Sequence, residues 1–206
     1  MESTRRLKNF IIVHGMNFLS LFTKVKKEMV DFHLAENKRA WGNYAPGLKY
    51  IEIQNKLTDI KYGQETPWLT KKISGGTPIN AAFNSCEVIA LFNALIALGI
   101  EKNTDSFPEL LSLFERKGAV LRGYFGTAPK AIKKYLKRHN ILIKKIAPLS
   151  ENFGKTKVQI LIYQNGAKIA SGVHTICIIS ENGKPRFLNG KPNEDSVPLL
   201  LWNLST

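Results

Sequence analysis

Cysteine is scarce in this chain, with only Cys86 and Cys177 among 206 residues. Two thiols cannot form a disulfide framework, and both lie in apolar surroundings that suit a reducing compartment. Histidine is sparse as well. His14, His33, His139 and His174 are dispersed, and no CxxC or HxxxH pair occurs, so no metal and no cofactor is expected. Acidic side chains are outnumbered, 16 against 30 Lys and Arg, which gives a formal net charge of +14. No apolar run approaches the roughly 20 residues that a bilayer-spanning helix needs. The nearest, FIIVHGMNFLSLF at 10–22, is interrupted by His14, Gly15 and Asn17 and is followed by no small-x-small cleavage site. It reads as neither a transmembrane span nor a cleaved signal. Cytoplasmic localisation is expected, secretion being left open.

Apolar residues make up 44% of the chain, enough for a hydrophobic core. Phe10, Val13, Phe18, Leu21, Phe22 and Val25 recur at helical spacing and predict an amphipathic helix, docked on the domain or lying on a membrane surface. Lysines are scattered, with clusters at Lys130, Lys133, Lys134 and Lys137 and at Lys144 and Lys145. No RNP-like strand accompanies them, so no specific nucleic acid is expected as a partner. The basic patches suit an anionic surface.

The order of elements is helices first and strands second. Helical patterns run over 5–40, 86–98, 107–117 and 128–139, with Ser106 and Thr127 as caps and Gly99 as a stop. A broken region at 41–79 separates the first from the second. Beyond 140 the period becomes that of strands: 141–146, 158–163, 172–180, 185–188 and 197–202, with Asn182-Gly183 as a two-residue hairpin loop. This is an α+β layout.

Cys86 opens the apolar helix in the stretch NSCEVIALFNALIALG (84–99). Asn84 and Glu87 have the spacing of a capping box, which places the thiol in the first turn. There the helix dipole and unsatisfied N–H groups are expected to lower its pKa. A thiol nucleophile needs a base held by a third group. If Asn182-Gly183 is the loop, Ile176 pairs with Asn189, and His174 shares a strand face with Ile176. Cys177 then points to the other face, leaving Cys86 as the candidate nucleophile. His14, His33 and His139 fall in the amphipathic leader, a charged helix and a basic helix end.

The ordered trio Cys86, His174, Asn189 resembles the papain-like cysteine peptidases. Within them NSCEVIALFNALIALG, GYFGTAPKAIKKYL (123–136) and GVHTICIISENGKPRFLNG (172–190) are most similar to bacterial peptidases related to the double-glycine leader-processing (C39-like) peptidases of bacteriocin export. The resemblance spans roughly residues 64–190. It implies a papain-like domain over 61–206, with a central helix on an antiparallel sheet, and a helical N-terminal extension over 1–60 that packs on or wraps it. It implies a thiol hydrolase that cleaves a peptide or amide bond of a peptide or protein substrate through an acyl-enzyme. Cys86 would be the nucleophile, His174 the base and acid, and Asn189 the residue that orients the imidazole. Asn80 stands six residues before the nucleophile, where the family carries a Gln in the oxyanion hole. Glu87 and Asn189 replace the usual Gly and Asp. These departures leave an alternative: a weakly active or inactive papain-like module that binds an anionic surface or partner.

Overall fold

The chain folds into helices followed by a five-stranded antiparallel sheet. The computed structural model describes residues 11–18, 25–63, 79–117, 120, 126–166 and 172–206. Residues 11–18 are helical, with Ile12 and Met16 buried. Helix α1 (Lys27–Trp41), the single turn α2 (Ala81–Asn84), α3 (Cys86–Ala97), α4 (Phe107–Arg116) and α5 (Pro129–Arg138) follow. The strands are β1 (Leu142–Ile146), β2 (Val158–Gln164), β3 (Val173–Glu181), β4 (Lys184–Leu188) and β5 (Val197–Ser205), in the order β1-β5-β2-β3-β4. Among the described residues no helix is long and apolar enough to cross a membrane.

Strand parity sorts the sheet into two apolar layers. Val158, Ile160, Ile162, Cys177 and Ile179 join the main core with the helices, whereas Leu161, Tyr163, Ile176 and Ile178 form a smaller cluster on the other face. Helix α3 is apolar on every side and lies across β3. It ends where Gly99 turns to φ 76, with Gly99 N–H on Ile96 C=O and Ile100 N–H on Leu95 C=O, as a left-handed glycine stop requires. The β3–β4 hairpin turns on Asn182 (φ 52) and Gly183 (φ 74), and its register pairs Glu181 with Lys184 and Ile179 with Arg186. That is the register predicted from the two-residue loop.

Residues 50–63 run through the core outside the sheet, with one bridge from Lys61 to Asn80, and side chains satisfy several of their backbone groups. Asn93 accepts from Ile51 N–H at 2.8 Å and donates to Ile51 C=O at 2.9 Å. Asn37 does the same for Lys61, at 2.7 and 2.9 Å. Glu115 accepts from Gly63 N–H at 2.7 Å and bonds His33 Nδ1 at 2.8 Å. His33 is thus turned into the interior, not held among the charges of its own helix. Trp41, Ile51, Leu57 and Ile60 belong to the same core as α3, so the described residues up to 60 share the hydrophobic interior of the rest.

Local capping expectations fail at three helix starts. Ser85, not Asn84, precedes α3, and no side chain caps that end. Asn84 closes α2 and is buried, donating to Tyr62 C=O. Ser106 hydroxyl goes to Glu101, and Thr127 lies one residue outside the α5 cap. Helix α5 receives its cap from far away instead: Asn17 Oδ1 accepts from Lys130 N–H at 2.9 Å.

Candidate active site

Cys86 is the first residue of α3 and is buried, 3% exposed. The backbone N–H groups of Thr175 on β3 and of Glu87 act to lower its pKa. The Thr175 contact follows from sheet topology. With a two-residue loop, 181/184, 179/186 and 177/188 are the hydrogen-bonded pairs, and Thr175 would be next, opposite Gly190. The ladder stops at Cys177 and Leu188, because Asn189 turns left-handed (φ 68) and Gly190 follows at φ 115. The Thr175 N–H that the ladder leaves open is the one that bears on the Cys86 thiol.

The predicted lowering of the thiol pKa is overturned. Burial raises it well above the ordinary range, and the Glu87 carboxylate, first by its charge and then as acceptor of the thiol proton, raises it further. Sγ–H donates to Glu87 Oε2 at 3.1 Å. The first-turn amide is present but is outweighed.

Glu87 is fully buried and is no capping residue. Its Oε2 also accepts from Thr127 N–H at 2.9 Å, and its Oε1 has no hydrogen-bond partner among the described residues. Gly126 (φ 53) closes over the carboxylate so tightly that a Cβ there would stand 2.1 Å from Oε2. Thr127 hydroxyl bonds the buried Tyr62 phenol at 2.9 Å. Burial raises the Glu87 carboxyl from 4.5 to about 7, against the opposing pull of the Cys86 and Thr127 donors.

This shift has a stability consequence whose sign is fixed. The unfolded carboxyl ionises through 4.5 and the folded one only near 7, so the folded state holds the extra proton and its stability falls as pH rises between the two. At 1.36 kcal/mol per unit the loss is about 3 kcal/mol. Urea titrations at pH 4.5 and 7.5 are expected to show this decline in the wild type and a profile about 2–3 kcal/mol flatter in Glu87→Gln. Parallel profiles would refute the assignment.

His174 lies on the sheet face opposite α3, with its ring edge-on to Tyr163 at 5.6 Å between centroids. Cys86 and His174 thus belong to elements on opposite faces of the sheet, and the residue next to His174, Thr175, is the one whose N–H bears on the thiol. His174 Nε2 bonds the main-chain carbonyl of Asn189 at 2.9 Å, and a Cβ on Gly190 would lie 3.3 Å from the same nitrogen. A carbonyl only accepts, so Nε2 carries the proton and Nδ1 keeps its lone pair. Burial lowers the His174 pKa, and the Asn189 carbonyl opposes this in part. Burial and then the charge of Cys86 in its ionised form raise the Tyr163 phenol.

Asn189 therefore holds the imidazole through its backbone, while its side chain turns away. Nδ2 donates to Gln54 Oε1 at 2.6 Å, and Gln54 Nε2 donates to Ala82 C=O at 3.1 Å. Arg186 fixes the same edge, bonding Glu52 at 2.7 Å and Glu181 at 3.1 Å. Asn80 caps α2 and forms a backbone bridge to Lys61. Its Oδ1 is buried without a hydrogen-bond partner among the described residues.

Sequence reasoning missed Gln54, Thr127 as a network residue, Gly126 as a clamp, and Glu87 as a thiol partner. The signal for Glu87 was its place beside the candidate nucleophile, masked by the capping-box spacing. Gln54 carries no local signal. Among the described residues no three His, Cys, Asp or Glu side chains converge as metal ligands. Compared with protein families, with curated proteins and with solved structures, the chain finds no match.

Proposed function

We propose that this protein is a thiol hydrolase of papain-like type, a cysteine peptidase in which Cys86 attacks a peptide or amide carbonyl and His174 moves the protons. One observation carries the reading: the Asn189 carbonyl occupies His174 Nε2 and so leaves Nδ1 as the base, on the residue next to Thr175, whose N–H acts to lower the Cys86 pKa. When the thiol turns from Glu87 to Nδ1, the thiolate forms against the N–H groups of Thr175 and Glu87. Cys86 N–H and the Asn80 amide serve the oxyanion, His174 protonates the leaving amine, and water releases the acyl group. The Cys-His-Asn order and the resemblance of residues 84–99 and 172–190 support this reading. The test is the burst of p-nitrophenolate from p-nitrophenyl acetate, compared with Cys86→Ala and His174→Ala.

A second reading, a binding module for anionic surfaces, has its own observation. From Arg116 to Ser150 the sequence carries ten Lys and Arg and no Asp or Glu, so nothing within that stretch neutralises it. Lys130, Lys133, Lys134, Lys137 and Arg138 are exposed on α5, and burial together with the charges of Arg138 and Lys134 lowers the Lys117 pKa. Each such cation near an anionic bilayer contributes about 1 kcal/mol. Sedimentation with phosphatidylglycerol vesicles is expected to drop at least about tenfold in Lys133→Glu/Lys137→Glu. Equal sedimentation with neutral phosphatidylcholine vesicles would sink this reading.

A further inference from the structure

The sulfur of Cys86 is prepared for a negative charge and yet is kept from acquiring one. It opens α3, and the N–H groups of Thr175 on β3 and of Glu87 at the helix start favour a thiolate. Against them stands Glu87 Oε2, which takes the thiol proton at 3.1 Å and the Thr127 N–H at 2.9 Å. Above pH about 7 Glu87 is ionised and can only accept, so the proton of this pair resides on sulfur. Gly126 seals this carboxylate in place, since the space a Cβ would need is filled by Oε2. Glu87 cannot swing aside while residues 126 and 127 keep their positions.

We propose that Glu87 is a positioning residue that masks the nucleophile: it competes with His174 Nδ1 for the Cys86 proton and holds the resting site in the thiol form. This rests on the reading of Cys86 as the nucleophile. No bond other than S–H is altered; unmasking moves the proton from Sγ to His174 Nδ1 and leaves Glu87 bonded to Thr127 N–H alone. Residues 126 and 127 thereby become the control point, because a substrate that shifts them shifts Glu87. The other titratable groups facing the pair are Tyr62 from the 50–63 segment, with Glu115 and its partner His33 behind it, and Tyr163 and His174 from the sheet. Tyr62 and Tyr163 are both held neutral by burial, and Glu115 is engaged by His33 Nδ1 and Gly63 N–H, so Glu87 is the anion that bears directly on the thiol.

Glu87→Gln tests this, since the amide carbonyl still accepts from Thr127 N–H while the charge is gone. The pH profile of iodoacetamide labelling, read at Cys86 by peptide mapping, is expected to move down by at least about one pH unit, a roughly tenfold faster labelling at pH 7.5. An unmoved profile, or slower labelling, would overturn the proposal. If Glu87→Gln does not fold, Cys86→Ala carries the same coupling from the other side. Loss of the thiol donor is expected to raise the midpoint of the Glu87 carboxyl band in an infrared titration, and an unchanged midpoint would overturn the proposal equally. Neither readout needs turnover, so absence of hydrolysis would defeat the peptidase reading without touching this one.

Discussion

His174→Ala is expected to slow the acylation of Cys86 by an activated ester about 10²–10⁴-fold, the range that a positioned base contributes. The expectation follows from the proton inventory of the site. With Nε2 committed to the Asn189 carbonyl, the neutral imidazole has one lone pair, on Nδ1, and burial lowers its pKa so that the neutral form prevails at pH 7. The thiol is raised well above its ordinary range by burial and by Glu87, so spontaneous thiolate is rare and a base is required. Removing the base leaves only that rare thiolate. Stopped-flow measurement of the p-nitrophenolate burst checks this, with Cys86→Ala as the blank. A burst unchanged in His174→Ala would remove the imidazole from the mechanism. Asn189→Ala is the informative companion, because it retains the carbonyl that holds Nε2 and loses the amide on Gln54. Its burst should survive better than that of His174→Ala, with the left-handed φ of 68 as the cost to stability.

Gly126→Ala is expected to be among the most destabilising single substitutions in the chain, by about 3–5 kcal/mol. An alanine at φ 53 costs roughly 1–2 kcal/mol by itself. The larger part is steric, as its Cβ would stand 2.1 Å from Glu87 Oε2 and 2.8 Å from Cδ. A surface glutamate would simply turn away. This one is fully buried and bonded to Thr127 N–H and the Cys86 thiol, so moving it strands a carboxylate and a backbone donor in the interior. The steric part depends on the carboxylate being where it is. In the double variant Gly126→Ala/Glu87→Ala it should vanish, giving a coupling of at least about 2 kcal/mol in a denaturation cycle. Additive effects would mean that Gly126 and Glu87 do not press on each other.

What was legible in the sequence was whatever depends on period and on local turn chemistry. The strand pattern beyond residue 140, the Asn182-Gly183 hairpin and its register, and the glycine stop at Gly99 all reappear in the fold. These rest on interactions a few residues long, or on a parity that a two-residue loop fixes. What failed also looked local. Asn84 and Glu87 have the spacing of a capping box, yet Asn84 bonds Tyr62, 22 positions back, and Glu87 bonds Thr127, 40 positions on. His33 finds Glu115 at a separation of 82, and Asn189 finds Gln54 at 135. A buried polar side chain takes whichever partner the tertiary fold delivers, because leaving it unpaired costs more than losing a cap. The tail of the amphipathic leader, residues 19–24, and the residues from 121 to 125 ahead of Gly126 lie outside the described residues.

The site shows the same division. Strand parity correctly separated Cys177 from His174, and Cys177 lies in the main core beneath the helices. Parity did not reveal that α3 packs on the Cys177 side while His174 faces the other, nor that β3 has an open edge beyond Cys177. That edge exists because β4 leaves the ladder at Asn189, which the one sequence feature of an Asn followed by Gly at 189–190 hints at and does not specify.

The central claim, that Cys86 is an acyl-accepting nucleophile served by His174, is tested most directly by mapping where the acetyl group goes during the p-nitrophenyl acetate burst. With 30 Lys and Arg in the chain, slow amide acetylation forms a background, and lability to neutral hydroxylamine separates a thioester from it. The prediction is a hydroxylamine-labile acetyl group on the Cys86 peptide, formed within the burst and absent from His174→Ala on that time scale. Acetyl found only on lysines, or on Cys86 at equal rates with and without His174, would contradict it.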